Sequence, residues 1–91
     1  MVFDPRLLEA FRTVVEAGSV TAAAKMLGVT QPAVSAQIAR LETQAGFELF
    51  ERASGRLVIT FRGRRFYEEI RTALDALERL GQAARGIRSG E

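Results

Sequence analysis

Residues 17–41 contain no acidic side chain, and their short polar residues are spaced for contact with nucleic acid. The segment carries only two charges, Lys25 and Arg40, and both are positive. Its second half opens with Thr30-Gln31-Pro32. A helix that lacks carboxylates and begins with short polar side chains suits a partner covered in phosphate. The pattern is typical of a helix-turn-helix that enters DNA.

The candidates for reading bases lie in the first two turns of the second helix in this segment. If its apolar stripe points inward, the opposite face carries Gln31, Pro32, Ser35 and Ala36. Gln31 offers a donor and an acceptor together, which matches N6 and N7 of adenine in the major groove. Pro32 and Ala33 are short and apolar, which suits a thymine methyl group, and Ser35 can bind a phosphate or a base. The alternative for Gln31 is an ordinary solvated side chain.

Three hydroxyl side chains, Ser19, Thr21 and Thr30, lie near predicted helix N-termini. Backbone N–H groups at these ends favour phosphate, so the three residues are candidates for contacts to the DNA backbone. Ser19 and Thr30 are also expected to cap their helices, a structural role that is compatible with phosphate binding.

A basic segment follows, with five arginines and no acid between Arg52 and Arg65. Arg52 and Arg56 flank a predicted turn, from which they could reach a minor groove or its backbone. Two alternatives stay open: the arginines could form a solvated surface, and Arg52 could pair with Glu48 or Glu51. The other three, Arg62, Arg64 and Arg65, stand at a helix N-terminus, where the helix dipole opposes them. That mismatch favours phosphate binding over packing of their stems across the core.

Composition excludes several classes of protein. The chain has no cysteine and no histidine, so disulfides, thiolate or imidazole metal sites and His- or Cys-dependent catalysis are absent. We therefore predict that it is not an enzyme and needs no cofactor or metal. No apolar run approaches the ~18 residues of a membrane helix, and the start lacks a signal core. We expect a soluble, cytoplasmic protein with no membrane partner.

Three helices are predicted ahead of the basic segment. Asp4-Pro5 opens the first, whose apolar residues fall at helical spacing up to Gly18. The second spans residues 20–27 and contains three small alanines, and Gly28 supplies the turn that follows it. Thr30 caps the third, whose buried stripe is Val34, Ile38 and Leu41. Together the three helices predict one small core.

A β-hairpin and a long helix are predicted next. Two short apolar runs joined by Ser54-Gly55 indicate the hairpin, which would be the wing of a winged helix-turn-helix. Thr60 then caps a helix over about 61–87 with a heptad seam of Phe66, Ile70, Ala73, Leu77, Leu80, Ala84 and Ile87. The seam predicts a homodimer, although the part around Phe66 and Ile70 could instead fold onto its own core. The predicted organisation is a DNA-binding domain over 1–60 and a dimerisation helix over 61–91.

The run from Leu7 to Arg52, followed by RLVIT and Gly63, resembles the N-terminal domain of LysR-type transcriptional regulators. The shared pattern is AAA, L-x-V-T-Q-P-A-V-S, the Leu41-Glu42 pair and L-F-x-R. The resemblance implies a mainly α fold: a winged helix-turn-helix with three helices and a hairpin wing, then a linker helix that pairs antiparallel with a second subunit. It also implies transcription regulation by binding interrupted inverted repeats in promoters, and it allows tetramers of full-length proteins. By resemblance, Gln31, Pro32, Ala33 and Ser35 read bases or phosphate, and Ser19, Thr30, Arg52 and Arg56 contact the backbone.

Two residues depart from the pattern of these regulators. Ala36 stands where many members carry a long polar side chain, so one base contact is expected to be lost or moved. Arg62 replaces a small residue before Gly63, which is expected to add charge near the wing. The effector-binding domain of the family is expected to be absent, which would leave an isolated DNA-binding portion. The alternative function is a winged-helix protein-docking module that uses the helical seam to bind a partner helix.

Overall fold

The computed structural model describes residues 3–90 and contains four helices and one hairpin within them. Met1, Val2 and Glu91, which the predicted domain ranges include, lie outside the described residues. The elements are α1 (Pro5–Ala17), α2 (Val20–Leu27), α3 (Gln31–Ala45), β1 (Phe50–Ala53), β2 (Arg56–Ile59) and α4 (Phe61–Arg88). The predicted order of three helices, a hairpin and a long helix is confirmed, and the fold is mainly α.

Side-chain caps start all four helices at the predicted residues. The side chains of Asp4, Ser19, Thr30 and Thr60 each accept a hydrogen bond from a backbone N–H in the first turn of the helix that follows. The turn between α2 and α3 is made at Gly28, whose φ of 70° lies in the left-handed region. Local sequence signals thus set where the helices begin.

The core lies around α1, which packs against α2, α3 and α4. Phe11 of α1 and Leu41 of α3 are fully buried, and Leu49, just before the hairpin, fills the space beside them. Edge-to-face contacts join the ring of Phe11 to those of Phe50 and Tyr67, with centroids 5.4 and 6.3 Å apart. The stripe predicted for α3, Val34, Ile38 and Leu41, is buried as expected.

The long helix α4 has two halves with different surroundings. Its first half packs onto α1 through Tyr67, Ile70 and Leu74. Ile70 is 3% exposed, so this residue of the predicted seam is packed within its own subunit, as is the half-buried Phe66 beside Phe47. The second half contains no buried residue among those described, and it leaves Leu77, Leu80 and Ile87 exposed. Over residues 3–90, no helix is both long enough and apolar enough to span a bilayer.

Candidate nucleic-acid interface

The outer face of α3 is built from the residues predicted to read bases. Val34 and Ile38 turn into the core, which leaves the other side of the helix to solvent. Exposed there are Gln31, Pro32, Ala33, Ser35 and Ala36. The sole charged residue in the first three turns is Arg40, so nothing on this face repels a phosphate. We call α3 the recognition helix from here on.

Two hydroxyl groups stand at the starts of α2 and α3. Ser19 Oγ accepts from the backbone N–H of Ala22 at 3.0 Å, and Thr30 Oγ1 accepts from the N–H of Ala33 at 3.2 Å. A hydroxyl that accepts in this way still has its own O–H to donate. Both side chains can therefore cap a helix and donate to a phosphate oxygen at once. Thr21 is exposed in the first turn of α2, next to Ser19.

The hairpin places its two arginines on opposite faces. Ser54 and Gly55 both have positive φ, 53° and 73°, which is the geometry of a two-residue type I′ turn. Arg52 pairs across the strands with Leu57, and Ala53 pairs with Arg56. Because side chains alternate along a strand, Arg52 lies on one face of the hairpin and Arg56 on the other.

Arg52 and Ser35 line the same groove between the recognition helix and the hairpin. This groove has a volume of about 190 Å³, and Glu42 and Phe50 form part of its wall. Among residues 3–90 Arg52 forms no ion pair, so the pairing with Glu48 or Glu51 that the sequence left open is not made. The guanidinium is thus free to act together with the polar face of α3.

Glu42 ties the recognition helix to the start of β1. Its Oε2 accepts from the backbone N–H of Leu49 at 2.7 Å and from that of Phe50 at 3.4 Å. In the sequence, Glu42 stands out only as part of the Leu41-Glu42 pair. Its role depends on the return of the chain after Gly46, which no local pattern in the sequence specifies.

The arginines that open α4 divide between two surfaces. Arg64 lines a cavity of about 160 Å³ together with Ser19 and the hairpin residues Phe50 and Leu57. Arg62 and Arg65 instead line a groove of about 460 Å³ with Phe66. Arg62 also lines a groove with Glu48 and Thr60, next to the end of β2. Its expected contribution of charge near the wing stays a prediction, and Arg64 adds charge beside Ser19 and the hairpin.

Three helices, a two-stranded wing against the third helix and a long trailing helix together define a winged helix-turn-helix protein. The family model described as "Bacterial regulatory helix-turn-helix protein, lysR family" matches residues 5–64. The chain therefore belongs to the LysR family of bacterial regulatory proteins.

One curated relative agrees with this assignment. The transcriptional activator protein LysR of Escherichia coli (strain K12) is 43% identical over 83 residues, which are 91% of this chain and 27% of that protein. The chain thus spans about a quarter of the length of that relative.

Two solved structures share the fold over nearly the whole chain. A crystal structure of the BenM DBD with benA site 1 DNA has a TM-score of 0.90 and 35% identity, and the match covers 98% of this chain and 100% of that one. A complex of the CbnR DBD with DNA has a TM-score of 0.86 and 36% identity, covering 94% and 99%.

Proposed function

We propose that this chain binds double-stranded DNA sequence-specifically as a homodimer and thereby regulates transcription. The observation that carries the proposal is the exposed, acid-free face of the recognition helix, with Arg52 in the groove beside it. The solved BenM and CbnR complexes contain DNA, and the fold match to both supports the same ligand for this chain.

Each subunit would read one half-site in the major groove. Gln31 faces an adenine with its amide, and the apolar Pro32 and Ala33 contact thymine methyl groups. Ala36 offers only a methyl group on the same face, so it contributes shape and no hydrogen bond. Base contacts of this kind carry the sequence preference.

Phosphate contacts would hold the protein in register on the duplex. Ser19, Thr21 and Thr30 donate from the starts of α2 and α3, where the helix dipoles also favour an anion. The hairpin would enter the neighbouring minor groove, and its arginines on opposite faces would reach the two strands that line it. Arg56 on the outer face and Arg52 on the inner face thereby act on different strands.

The second half of α4 supports the dimer. Leu77 is 49% exposed and Ile87 is 73% exposed, and both belong to the predicted seam with Ala73, Leu80 and Ala84. A second copy running antiparallel would cover this apolar surface. Two recognition helices related in this way would fit an interrupted inverted repeat in a promoter. The organisation proposed is a DNA-binding unit up to residue 60 and a dimerisation helix beyond it, although the first half of α4 also serves the core.

Membership of the LysR family supports proposals for the cellular location and the assembly of the protein. A regulator that binds chromosomal DNA works in the cytoplasm, and we propose that location here. The chain covers about a quarter of its relative LysR, so control by an effector and assembly into tetramers are proposals for a longer protein.

Selection from a randomised duplex pool, titrated with salt, tests the proposal. Recovery of an inverted repeat with a steep loss of affinity at rising salt is the expected result. Binding without any enriched sequence would contradict base reading. No binding at low salt, together with capture of a helical partner by the α4 seam, would instead favour a protein-docking module.

A further inference from the structure

A chain of polar contacts joins α1 to α4 on the surface of the core. Tyr67 Oη donates to Glu16 Oε2 at 2.9 Å, and Arg12 Nε donates to the same oxygen at 3.2 Å. Arg12 Nη1 also lies 3.6 Å from Asp75 Oδ1. We call these four residues, Arg12, Glu16, Tyr67 and Asp75, the α1–α4 clamp.

The clamp lies at the last turn in which α4 touches the rest of the subunit. Leu74 is the last buried residue of α4, and Asp75 follows it directly. The other fixed point is at the start of the helix, where Thr60 Oγ1 donates to the carbonyl oxygen of Glu48 at 2.7 Å. Everything beyond Asp75 projects from the body, so these two points set the direction of the projecting half.

A small change in the tilt of α4 displaces the residues proposed for dimerisation by several ångströms. From Asp75 to Ile87 the helix axis runs ~18 Å at about 1.5 Å per residue. A tilt of about 10° at Asp75 then displaces Ile87 by ~3 Å in each subunit, so the two subunits together shift by ~6 Å, which is close to two base-pair steps of about 3.4 Å. Because α1 packs against both the recognition helix and α4, the clamp links the dimer axis to the DNA-reading surface.

We propose that Arg12, Tyr67 and Asp75 are positioning residues that set the spacing between the two half-sites that the dimer accepts. This inference rests on the proposed function as a dimeric DNA-binding protein. The apolar contacts of Ile70 and Leu74 hold α4 on the body but are non-directional, whereas hydrogen bonds require a particular geometry. The clamp therefore selects one tilt among those that the apolar contacts permit.

The contacts of the clamp are suited to orienting α4 and add little to the stability of the fold. The Arg12–Asp75 pair is partly exposed, and pairs of that kind contribute little to the stability of a fold. Burial raises the pKa of the Tyr67 phenol, and its hydrogen bond to Glu16 raises it further. The phenol thus remains a donor at neutral pH. The variant Tyr67→Phe therefore removes only this hydrogen bond, because the aromatic ring remains in the core.

The test uses duplexes with two half-sites at a series of spacings, together with a duplex that has one half-site. Tyr67→Phe and Arg12→Gln are compared with the native chain, and Arg79→Gln is the control, since Arg79 is an exposed residue of α4 beyond the clamp. We expect the preference for the best spacing over one two base pairs away to fall by about three- to tenfold in both clamp variants. Affinity for the single half-site should stay within about twofold. An unchanged spacing preference in both variants would overturn the proposal.

A measurement without DNA separates this inference from the proposed function. The chain has no cysteine, so spin labels can be placed at Lys25→Cys on α2 and Gln82→Cys on α4. In samples diluted with unlabelled chain, the distance distribution should broaden or shift in Tyr67→Phe and remain native in Arg79→Gln. Identical distributions in all proteins would show that the clamp does not orient α4. A changed distribution in Tyr67→Phe, in a chain that does not bind DNA, would refute the proposed function and with it the control of half-site spacing, and it would leave only the orientation of α4 by the clamp.

Discussion

The carboxylate of Glu42, in the recognition helix, accepts a 2.7 Å hydrogen bond from the backbone N–H of Leu49, just before the hairpin. A fully buried Leu49 side chain anchors the same residue in the core. Two backbone N–H groups at the start of the wing are thereby bonded to one side chain of α3. The relative placement of α3 and the hairpin thus depends in part on a side chain that lines the same groove as Ser35 and Arg52.

Replacement of Glu42 is therefore expected to loosen the wing. Glu42→Ala leaves two backbone N–H groups without an acceptor and should lower the free energy of unfolding by about 1–3 kcal/mol. Glu42→Gln keeps an oxygen that can accept and should cost less. Chemical denaturation and amide exchange at Leu49 measure both effects. The matched control is Glu51→Ala, which removes the same charge from an exposed position of β1; equal losses at both positions would contradict this role.

Two glycines of α4 should respond to alanine in opposite ways. A Cβ at Gly63 would collide with the carbonyl oxygen of Leu49, whereas one at Gly81 would find Arg85 Nη1 as its nearest neighbour, 3.6 Å away. Gly63→Ala should therefore destabilise the fold by about 1–3 kcal/mol. Gly81→Ala should stabilise it by about 0.5–1 kcal/mol, since alanine loses less entropy in a helix. Thermal unfolding of the two variants measures the difference, and a loss of stability in Gly81→Ala would show that its site is more crowded than described.

Gln31 is expected to discriminate between DNA sequences. Gln31→Ala should cost about 1–3 kcal/mol on the preferred site and less on random DNA, because a bidentate contact to adenine is lost only where that base is present. Fluorescence anisotropy on both duplexes measures the two losses. Gln37→Ala, a change of the same residue type six residues further along the helix, serves as the control. Equal losses on both duplexes would refute base reading by Gln31.

The arginines beside the wing should determine how strongly the affinity for DNA depends on salt concentration. Arg52→Ala and Arg64→Ala should each weaken binding to all sequences and reduce the log–log slope of affinity against salt by about 1. Arg62→Ala is the matched control, since Arg62 lies only two residues from Arg64 but lines the separate groove with Phe47 and Phe66. Salt titrations of the three variants provide the slopes. A slope that falls for Arg62 and not for Arg64 would reverse the assignment of the two surfaces.

The sequence predicts the features that depend on neighbouring residues, such as helix caps. It does not predict which side chains meet when distant segments of the chain pack together. The caps at Ser19 and Thr30 depend on backbone within three residues, so their positions were predicted correctly. Arg62 and Arg64 line different grooves because of the way α4 packs beside the hairpin. No local sequence pattern specifies that packing. Heptad spacing likewise does not distinguish a helix's own core from a partner, and therefore it selected Phe66 and Ile70 but missed Tyr67 and Leu74.

Disruption of the exposed seam should separate the subunits without unfolding them. Leu77 lies beyond the last buried residue of α4, so Leu77→Glu places a charge at the proposed dimer centre and leaves the core intact. We expect a monomer by analytical ultracentrifugation, a native circular dichroism spectrum and reduced affinity for paired half-sites. Gln82→Glu adds the same charge outside the seam and should preserve the dimer. A dimer that survives Leu77→Glu would place the interface elsewhere, and a monomer that binds paired half-sites as tightly as the native chain would show that DNA recognition does not need the seam.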